Sequence, residues 1–174
     1  MEIEQLDKRI YAGREFTARY RTTGYYDIRP CESGFQVSRT AFEAPVEKSF
    51  DDVFFGTWLE APVAFGAFEN GDLIGYAEGS PESWNNRFRL SNICVFDSSL
   101  RSRGVGTMLL QAIQKTAESS AARMIVLETQ SCNEAAIAFY RKNSFTVIGF
   151  DLYAYSNIDP ERHEVRIEMG KMLK

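Results

Sequence analysis

The chain has 174 residues, of which 44% are hydrophobic and 25% charged, and its formal net charge is −4 at pH 7. These values are ordinary for a globular domain and exclude a disordered chain or a globally basic surface for nucleic acid. The N-terminal residues are charged, without the apolar region of a signal peptide, and no apolar stretch could span a bilayer, so we expect a cytoplasmic protein.

The first third of the chain is predicted to contain two helices and one strand. Residues 1–23 carry mixed charges with widely spaced apolar positions, which favours a loosely amphipathic helix. Tyr25–Pro30 has the composition of a short strand that the proline ends. Lys48–Leu59 is predicted as a helix because its apolar side chains share one face.

The middle of the chain is predicted to be an antiparallel meander of three strands. Val63–Phe68 and Leu73–Glu82 are separated by Asn70-Gly71, the dipeptide most typical of a two-residue hairpin turn. Asn85-Asn86 marks a second turn, and Phe88–Phe96 is the third strand.

After Gly104 the spacing of apolar residues becomes helical. One stripe of about four turns contains Val105, Met108, Leu109, Ala112, Ile113 and Thr116. The later elements are predicted as a strand at Met124–Thr129, a helix at Asn133–Asn143 and strands near Phe145–Tyr155 and Glu164–Met169. A meander followed by this alternation predicts one mixed α/β (α+β) domain over residues 1–174.

The strongest local signal is Arg101-Ser102-Arg103-Gly104-Val105-Gly106, which lies between a strand and an amphipathic helix. The first-turn N–H groups of a helix have no intrahelical partner, and glycines let a ligand approach the backbone. A pyrophosphate is the expected ligand, with Arg101 and Arg103 as auxiliary charges. The alternative is a solvated basic turn. NAD, FAD and ATP fit less well because neither GxGxxG nor GK[ST] is present.

A second signal lies on the later predicted helix. Asn133, Ala136 and Tyr140 are three and four residues apart and so share one helical stripe. Asn133 is a suitable N-cap, and Glu134 suits the electropositive first turn. A small residue between two polar ones would let a thin chain pass close to this helix.

These two motifs, in this order over roughly residues 88–150, resemble those of the GNAT superfamily of acetyl-CoA-dependent N-acetyltransferases. The resemblance implies a GNAT-like mixed, mostly antiparallel central sheet flanked by helices, with acetyl-CoA as co-substrate and no metal. It also implies a residue set: main-chain groups of Cys94, Val95 and Phe96 on the pantetheine arm; Arg101, Ser102, Arg103, Gly104, Val105, Gly106 and Thr107 around the pyrophosphate; Asn133 and Ala136 on the cofactor; and Tyr140 as general acid to the leaving thiolate. Ser144 departs from the pattern, because the family usually has a left-handed glycine there.

Three further segments, Glu78–Arg87, Leu127–Asn133 and Asp151–Asn157, resemble the streptothricin acetyltransferases. Those enzymes inactivate a cationic antibiotic by acetylating an amine of its β-lysine group. The resemblance implies direct transfer to a primary amine of a cationic small molecule, and antibiotic resistance as the outcome.

Direct transfer needs a neutral amine, and an alkylamine is protonated at neutral pH by about three pKa units. A carboxylate could remove that proton, and we rank Glu82 first and Glu78 second because alternation puts both on one face of a strand. The expected substrate-binding set is Glu78, Glu82 and Trp84, with Glu128, Asp151, Tyr153 and Tyr155. The alternatives are solvated carboxylates and aromatic residues that only pack the sheet.

The cysteines and the histidine offer no other chemistry. Cys31, Cys94 and Cys132 are widely spaced, and His163 is the only histidine, so neither a zinc site nor a Cys-His nucleophile is predicted. No general base is evident near Cys132, which makes an acyl-cysteine intermediate improbable.

Two other functions stay open on these residues. The same cofactor site would serve acetylation of peptide or protein amines or of polyamines, and an acyl-CoA-binding domain without turnover is a third possibility. We expect a monomer or homodimer with no nucleic-acid or membrane partner.

Overall fold

The structure is a computed structural model that describes residues 1–173, with Ser102 described by its backbone alone. The strands are β1 (Glu2–Gln5), β2 (Glu15–Cys31), β3 (Gly34–Val53), β4 (Val63–Glu69), β5 (Asp72–Glu82), β6 (Arg87–Val95), β7 (Met124–Gln130), β8 (Thr146–Asp151) and β9 (Arg166–Met172). The α-helices are α1 (Lys8–Tyr11), α2 (Val105–Ser119), α3 (Glu134–Lys142) and α4 (Asp159–Arg162), and a 3₁₀ helix covers Ser98–Arg103.

The chain divides into two compact units. The first comprises residues 1–18, 50–127 and 171–173, and the second comprises residues 19–49 and 128–170. The sequence predicts one domain over 1–174, and that organisation stays a prediction.

The first unit is built on a mostly antiparallel sheet. Its strands follow the order β1-β4-β5-β6-β7, antiparallel as far as β6, and β6 pairs with β7 in parallel. Parallel neighbours need a crossover connection, which α2 supplies. The buried residues of α2 are Val105, Leu109, Leu110, Ile113 and Ala117. The predicted meander, helix and α/β class are confirmed.

The β4–β5 turn has the backbone that its sequence predicts. Asn70 and Gly71 have φ values of 53° and 88°, and Glu69 pairs with Asp72 across the turn. Two successive positive φ values match the right-handed twist of the flanking strands, so this hairpin prediction is confirmed.

The second unit contains α3 and an antiparallel β8–β9 pair. The side chain of Asn133 caps α3 by accepting from the N–H of Ala136 at 3.2 Å, which confirms the N-cap. At the other end Ser144 is left-handed with φ 69°, and the N–H of Phe145 donates to the carbonyl of Tyr140 at 3.0 Å. A serine therefore occupies the left-handed position after the helix.

Two predicted helices are wrong. Residues 1–23 form β1, the short α1 and the start of β2, and residues 48–59 complete β3 and enter a turn. From residue 18 to residue 24 every second side chain is buried, but two of these are Thr22 and Gly24, so the strand period is not visible as hydrophobic alternation. The strand at Tyr25–Pro30 is present as part of β2, which continues one residue beyond Pro30.

The N-terminal residues pack as part of the first unit. Phe54 stacks on Tyr76 with ring centroids 3.8 Å apart, and both are buried beside Leu6. Aromatic side chains that bury this much surface contribute a large share of core stability. None of the helices in residues 1–173 is long and apolar enough to cross a membrane.

Candidate functional site

The start of α2 presents main-chain donors. Gly104 is its N-cap with φ 85°, and the N–H of Met108 makes the first helical hydrogen bond, to the carbonyl of Gly104 at 3.0 Å. The amides of Val105, Gly106 and Thr107 precede that bond and have no intrahelical partner. This geometry, with the positive end of the helix dipole, suits a phosphate or diphosphate.

The two arginines before this helix have different surroundings. Arg103 forms a forked ion pair with Glu69 of β4, with Nη2–Oε1 and Nη1–Oε2 distances of 2.5 and 3.0 Å. Arg101 acts to lower the pKa of the Cys94 thiol, although burial dominates and raises it to about 11. The charge of Arg103, predicted as auxiliary to the pyrophosphate, is thus already balanced by Glu69. The side chain of Ser102 lies outside the described residues.

Strand β6 carries an open edge near the same helix end. Its described parallel ladder with β7 runs from Arg87–Met124 to Leu90–Leu127, whereas β6 continues to Val95. Beyond Leu90 the described ladder partners of β6 belong to β5. The edge amides and carbonyls after this point can therefore pair with an extended ligand.

Glu78 on β5 is an ionisable group of the first unit that is fully buried. It is 0% exposed, and within the described residues neither carboxyl oxygen has a hydrogen-bond partner of regular geometry. Burial raises the pKa of this carboxyl to about 7, while the Tyr76 hydroxyl and the Gly56 amide act to lower it. A carboxyl with this pKa can accept a proton near neutrality.

Glu82, the preferred candidate from sequence, has partners that Glu78 lacks. Its oxygens accept from Arg87 Nε at 2.9 Å and Arg89 Nε at 2.5 Å. Burial acts to raise the pKa of Glu82, but the two guanidinium groups outweigh it and lower this pKa below its usual value. The surroundings of Glu78 therefore suit proton acceptance better than those of Glu82, which the sequence ranks first. Nearby, Trp84 is 80% exposed, with the Arg87 guanidinium 5.8 Å from its ring centroid.

In the second unit, Asn133 is the N-cap of α3, and Ala136 and Tyr140 lie on this helix. The Asn133 side-chain oxygen is engaged in the N-cap, whereas its amide nitrogen is a donor that the cap does not use. Tyr140 is 6% exposed and packs against Phe139 and Phe145, with ring centroids 5.3 and 5.8 Å away. Burial raises the pKa of the Tyr140 phenol, so it holds its proton over the physiological pH range.

Two of the remaining predicted substrate residues of the second unit, Glu128 and Asp151, flank Arg166, which sequence reasoning missed. Its guanidinium lies 3.6 Å from Glu128 and 3.5 Å from Asp151. The Tyr155 hydroxyl donates to Glu128 at 3.5 Å, and Tyr153 is 59% exposed. The Arg166 guanidinium partly neutralises both carboxylates, so they would attract a cationic ligand less strongly.

Cys132 is unsuited to nucleophilic attack. It is fully buried, its Sγ lies 3.4 Å from the Tyr20 hydroxyl, and burial raises the pKa of its thiol. A thiol that stays protonated is a poor nucleophile. In residues 1–173, with the Ser102 side chain set apart, no group of three His, Cys, Asp or Glu residues is arranged to hold a metal ion.

Sequence reasoning also missed the surroundings of Glu78. The N–H of Phe55 donates to the Tyr76 hydroxyl at 3.1 Å, and the Asn92 amide donates to Asp52 at 2.9 Å. Asp52 lies in the segment predicted as a helix, and no motif singles it out. Only the pairing of β5 with β6 brings Asn92 opposite Glu78.

Comparison with known proteins identifies the relatives of this chain. Residues 31–145 match the model of the acetyltransferase (GNAT) family. The streptothricin acetyltransferase of Escherichia coli is 30% identical over 155 residues, or 87% of this chain and 82% of that protein. The streptothricin acetyltransferase of Streptomyces lavendulae is 25% identical over 150 residues, or 82% of this chain and 79% of that protein.

Solved structures share the fold. The crystal structure of nourseothricin acetyltransferase has a TM-score of 0.78 at 24% identity and covers 99% of this chain and 98% of its own. A Bacillus anthracis str. Ames protein, solved in complex with acetyl coenzyme A, has a TM-score of 0.75 at 21% identity over 99% and 97% of the two chains.

The buried carboxyl predicts a pH-dependent stability. Because the folded-state pKa of Glu78 is raised from 4.5 to about 7, its contribution to the free energy of unfolding is complete below pH 4.5 and is lost as the pH rises through 7. For this shift we expect wild-type protein to lose roughly 3 kcal/mol relative to Glu78→Gln across that window. Urea unfolding of both proteins over the pH range measures the difference.

Glu118→Gln, which changes an exposed carboxylate on α2, is the matched control and should retain the wild-type decline. Parallel pH profiles for wild type and Glu78→Gln would show that Glu78 titrates as a solvated group.

Proposed function

This chain belongs to the acetyltransferase (GNAT) family and is an acetyl-CoA-dependent N-acetyltransferase, and from that premise we propose that it acetylates a primary amine of streptothricin. The proposal extends to direct transfer of the acetyl group and to antibiotic resistance as the outcome. Its support is the likeness to streptothricin acetyltransferases over most of their length, together with the net charge of −4, which favours a cationic acceptor.

One observation carries the mechanism: Glu78 is a wholly buried carboxyl with a pKa of about 7 and no hydrogen-bond partner of regular geometry among the described residues. Neutralising an alkylammonium at pH 7 costs roughly 4–5 kcal/mol, which a base lowers when its pKa is close to the working pH. We assign Glu78 as the group that takes the amine proton.

Direct transfer needs no nucleophile from the protein. The amine nitrogen, which has given one proton to Glu78, attacks the thioester carbonyl, the new C–N bond forms, and the C–S bond breaks. The nitrogen loses its second proton as the amide forms, and that loss balances the proton that the departing thiolate takes up. The thiols of Cys94 and Cys132 are buried, and burial raises the pKa of each, which disfavours an acyl-cysteine route.

The family resemblance assigns Tyr140 to protonate the departing thiolate. Its raised pKa keeps the phenol in the proton-donating form. The same resemblance assigns the amides of Val105, Gly106 and Thr107 to the cofactor diphosphate, and main-chain groups of Cys94, Val95 and Phe96 to the pantetheine arm. Phe96 follows the end of β6, and its N–H already donates to the Ile74 carbonyl at 3.1 Å, so this N–H is unsuited to that role. The open β6 edge and the uncapped start of α2 fit this assignment chemically.

An acceptor panel tests the function. Purified protein is incubated with acetyl-CoA and streptothricin, spermidine or a peptide with a free amine, and thiol release is followed, with mass spectrometry for the gain of one acetyl group. We expect kcat/KM for streptothricin to exceed the others by at least about tenfold. Preference for spermidine or the peptide would support the alternative acceptors instead, and no release with any acceptor would contradict turnover.

Replacing Tyr140 with Phe removes the proposed acid while keeping the ring. We expect kcat to fall at least about tenfold, because the thiolate then leaves unprotonated, with little change in the Kd for acetyl-CoA. Steady-state kinetics and calorimetry separate the two quantities. Tyr26→Phe, which removes only a hydroxyl that accepts from Arg141 at 3.1 Å, is the control. An unchanged kcat for Tyr140→Phe would remove the acid assignment.

Gly106→Asp tests the diphosphate site. An aspartate in the first turn of α2 favours the helix but repels a diphosphate, and at about 5 Å this repulsion is worth roughly 3 kcal/mol, or about a hundredfold in Kd. Calorimetry with acetyl-CoA measures the loss, and Gly106→Asn, of equal size without the charge, separates repulsion from steric blocking. Wild-type affinity in Gly106→Asp would place the diphosphate elsewhere.

A further inference from the structure

A second carboxylate lies beside Glu78 in the first unit. Glu78 is paired with Asn92 across β5 and β6, and paired residues of antiparallel strands project their side chains on the same face. The Asn92 amide donates to Asp52 Oδ2 at 2.9 Å, and the N–H of Val53 donates to Asp52 Oδ1 at 2.7 Å. Asn92 thus holds Asp52 by a hydrogen bond and lies opposite Glu78 in the sheet, and each Asp52 oxygen accepts a hydrogen bond.

The chain after Asp52 is held in an unusual conformation. Phe55 is left-handed with φ 59°, which is rare for a bulky residue, and it is 4% exposed. Its N–H donates to the Tyr76 hydroxyl, and the next amide, that of Gly56, acts on the Glu78 carboxyl. Strain of this kind persists where the surroundings over-determine the backbone, as at functional sites.

We propose that Asp52 is an acceptor-binding residue, which with Glu78 forms a two-carboxylate receptor for a primary ammonium group. Asp52 holds the ammonium by one N–H, and Glu78 takes another proton, which leaves the nitrogen lone pair free to attack. This inference rests on the proposed function in treating Glu78 as the base. It adds the group that selects and orients the amine.

The hydrogen-bonding capacity of the two acids matches this ligand. An ammonium group has three N–H donors, and a carboxylate oxygen can accept two hydrogen bonds. Each Asp52 oxygen accepts one described bond from the protein, and the Glu78 oxygens are both buried without a regular partner. A buried polar group without a partner is costly unless a ligand supplies one. A hydroxyl acceptor has one donor and no charge, so it cannot satisfy both acids.

The charged and titratable groups around Glu78 come from three elements. Burial raises its pKa most; Tyr76 of β5 and the Gly56 amide lower it, Asp52 near the end of β3 raises it, and Lys8 of α1 lowers it. Replacing Asp52 by a neutral residue therefore removes a like charge. The pKa of Glu78 then falls, and the acidic limb of the activity profile moves to lower pH.

Asp52→Asn against Asp51→Asn provides a matched test, because Asp51 is the adjacent, exposed carboxylate that accepts from Thr17 at 2.6 Å. With streptothricin we expect Asp52→Asn to raise KM at least about tenfold and to change kcat by less than about threefold. It should also shift the acidic limb of kcat/KM to lower pH. Asp51→Asn should match wild type in all three quantities.

Two measurements keep the inference independent of turnover and of folding. Carbon-detected NMR of the Glu78 carboxyl, without substrate, should show a lower pKa in Asp52→Asn than in wild type, and calorimetry with spermidine as probe should show weaker binding. Asn92→Ser, which releases Asp52 but keeps its charge, should raise KM by a smaller factor and leave the Glu78 pKa near its wild-type value.

If Asp52→Asn keeps the wild-type KM and the acidic limb of its kcat/KM pH profile does not move, the two-carboxylate receptor is wrong. If wild-type protein acetylates no amine, the proposed function fails, whereas the NMR titration and spermidine binding still decide whether the two acids form a receptor.

Discussion

An ionisable group taken out of water without a partner is costly, and the first unit accepts that cost at Glu78. The arrangement around it is specific: an aromatic stack fixes Tyr76, and a left-handed Phe55 directs its amide to the Tyr76 hydroxyl. Glu82, four residues further along the same strand, is instead held by two arginines. One strand therefore carries one buried carboxyl with a pKa of about 7 and one carboxyl whose pKa two arginines lower, and surroundings alone separate the two.

Charge acts locally in this molecule. A net charge of −4 disfavours a coenzyme with phosphate groups, yet helix amides act over a few ångströms and need no basic surface. Acidic side chains form ion pairs within the protein, as Glu128 and Asp151 do with Arg166. A count of acidic residues along the sequence therefore overstates the negative charge that is available to bind a cation.

The elements that could be predicted are those whose signals are local. Asn70-Gly71 requires two positive φ values, Asn133 caps its own helix, and the α2 stripe repeats at helical spacing. The missed strand β2 buries Thr22 and Gly24, and neither threonine nor glycine contributes to a pattern of hydrophobic alternation. The site followed the same rule: the two motifs could be read from local sequence, but the difference between Glu82, which accepts from two arginines, and Glu78, which is buried without a regular partner, depends on neighbours across the sheet. The contacts of Asp52 with Asn92 and of Arg166 with two acids are tertiary, and no spacing along the chain encodes them.

The ion pair between Arg103 and Glu69 has a consequence for how firmly the coenzyme is held under changing conditions. Peptide N–H groups do not titrate, and their dipoles act at contact range. If the first turn of α2 supplies most of the binding while Arg103 remains paired with Glu69, affinity for the coenzyme changes less with acidity and ionic strength than it would with an unpaired arginine. The stronger sensitivity to both would then reside on the acceptor side, where the carboxylates meet a cation.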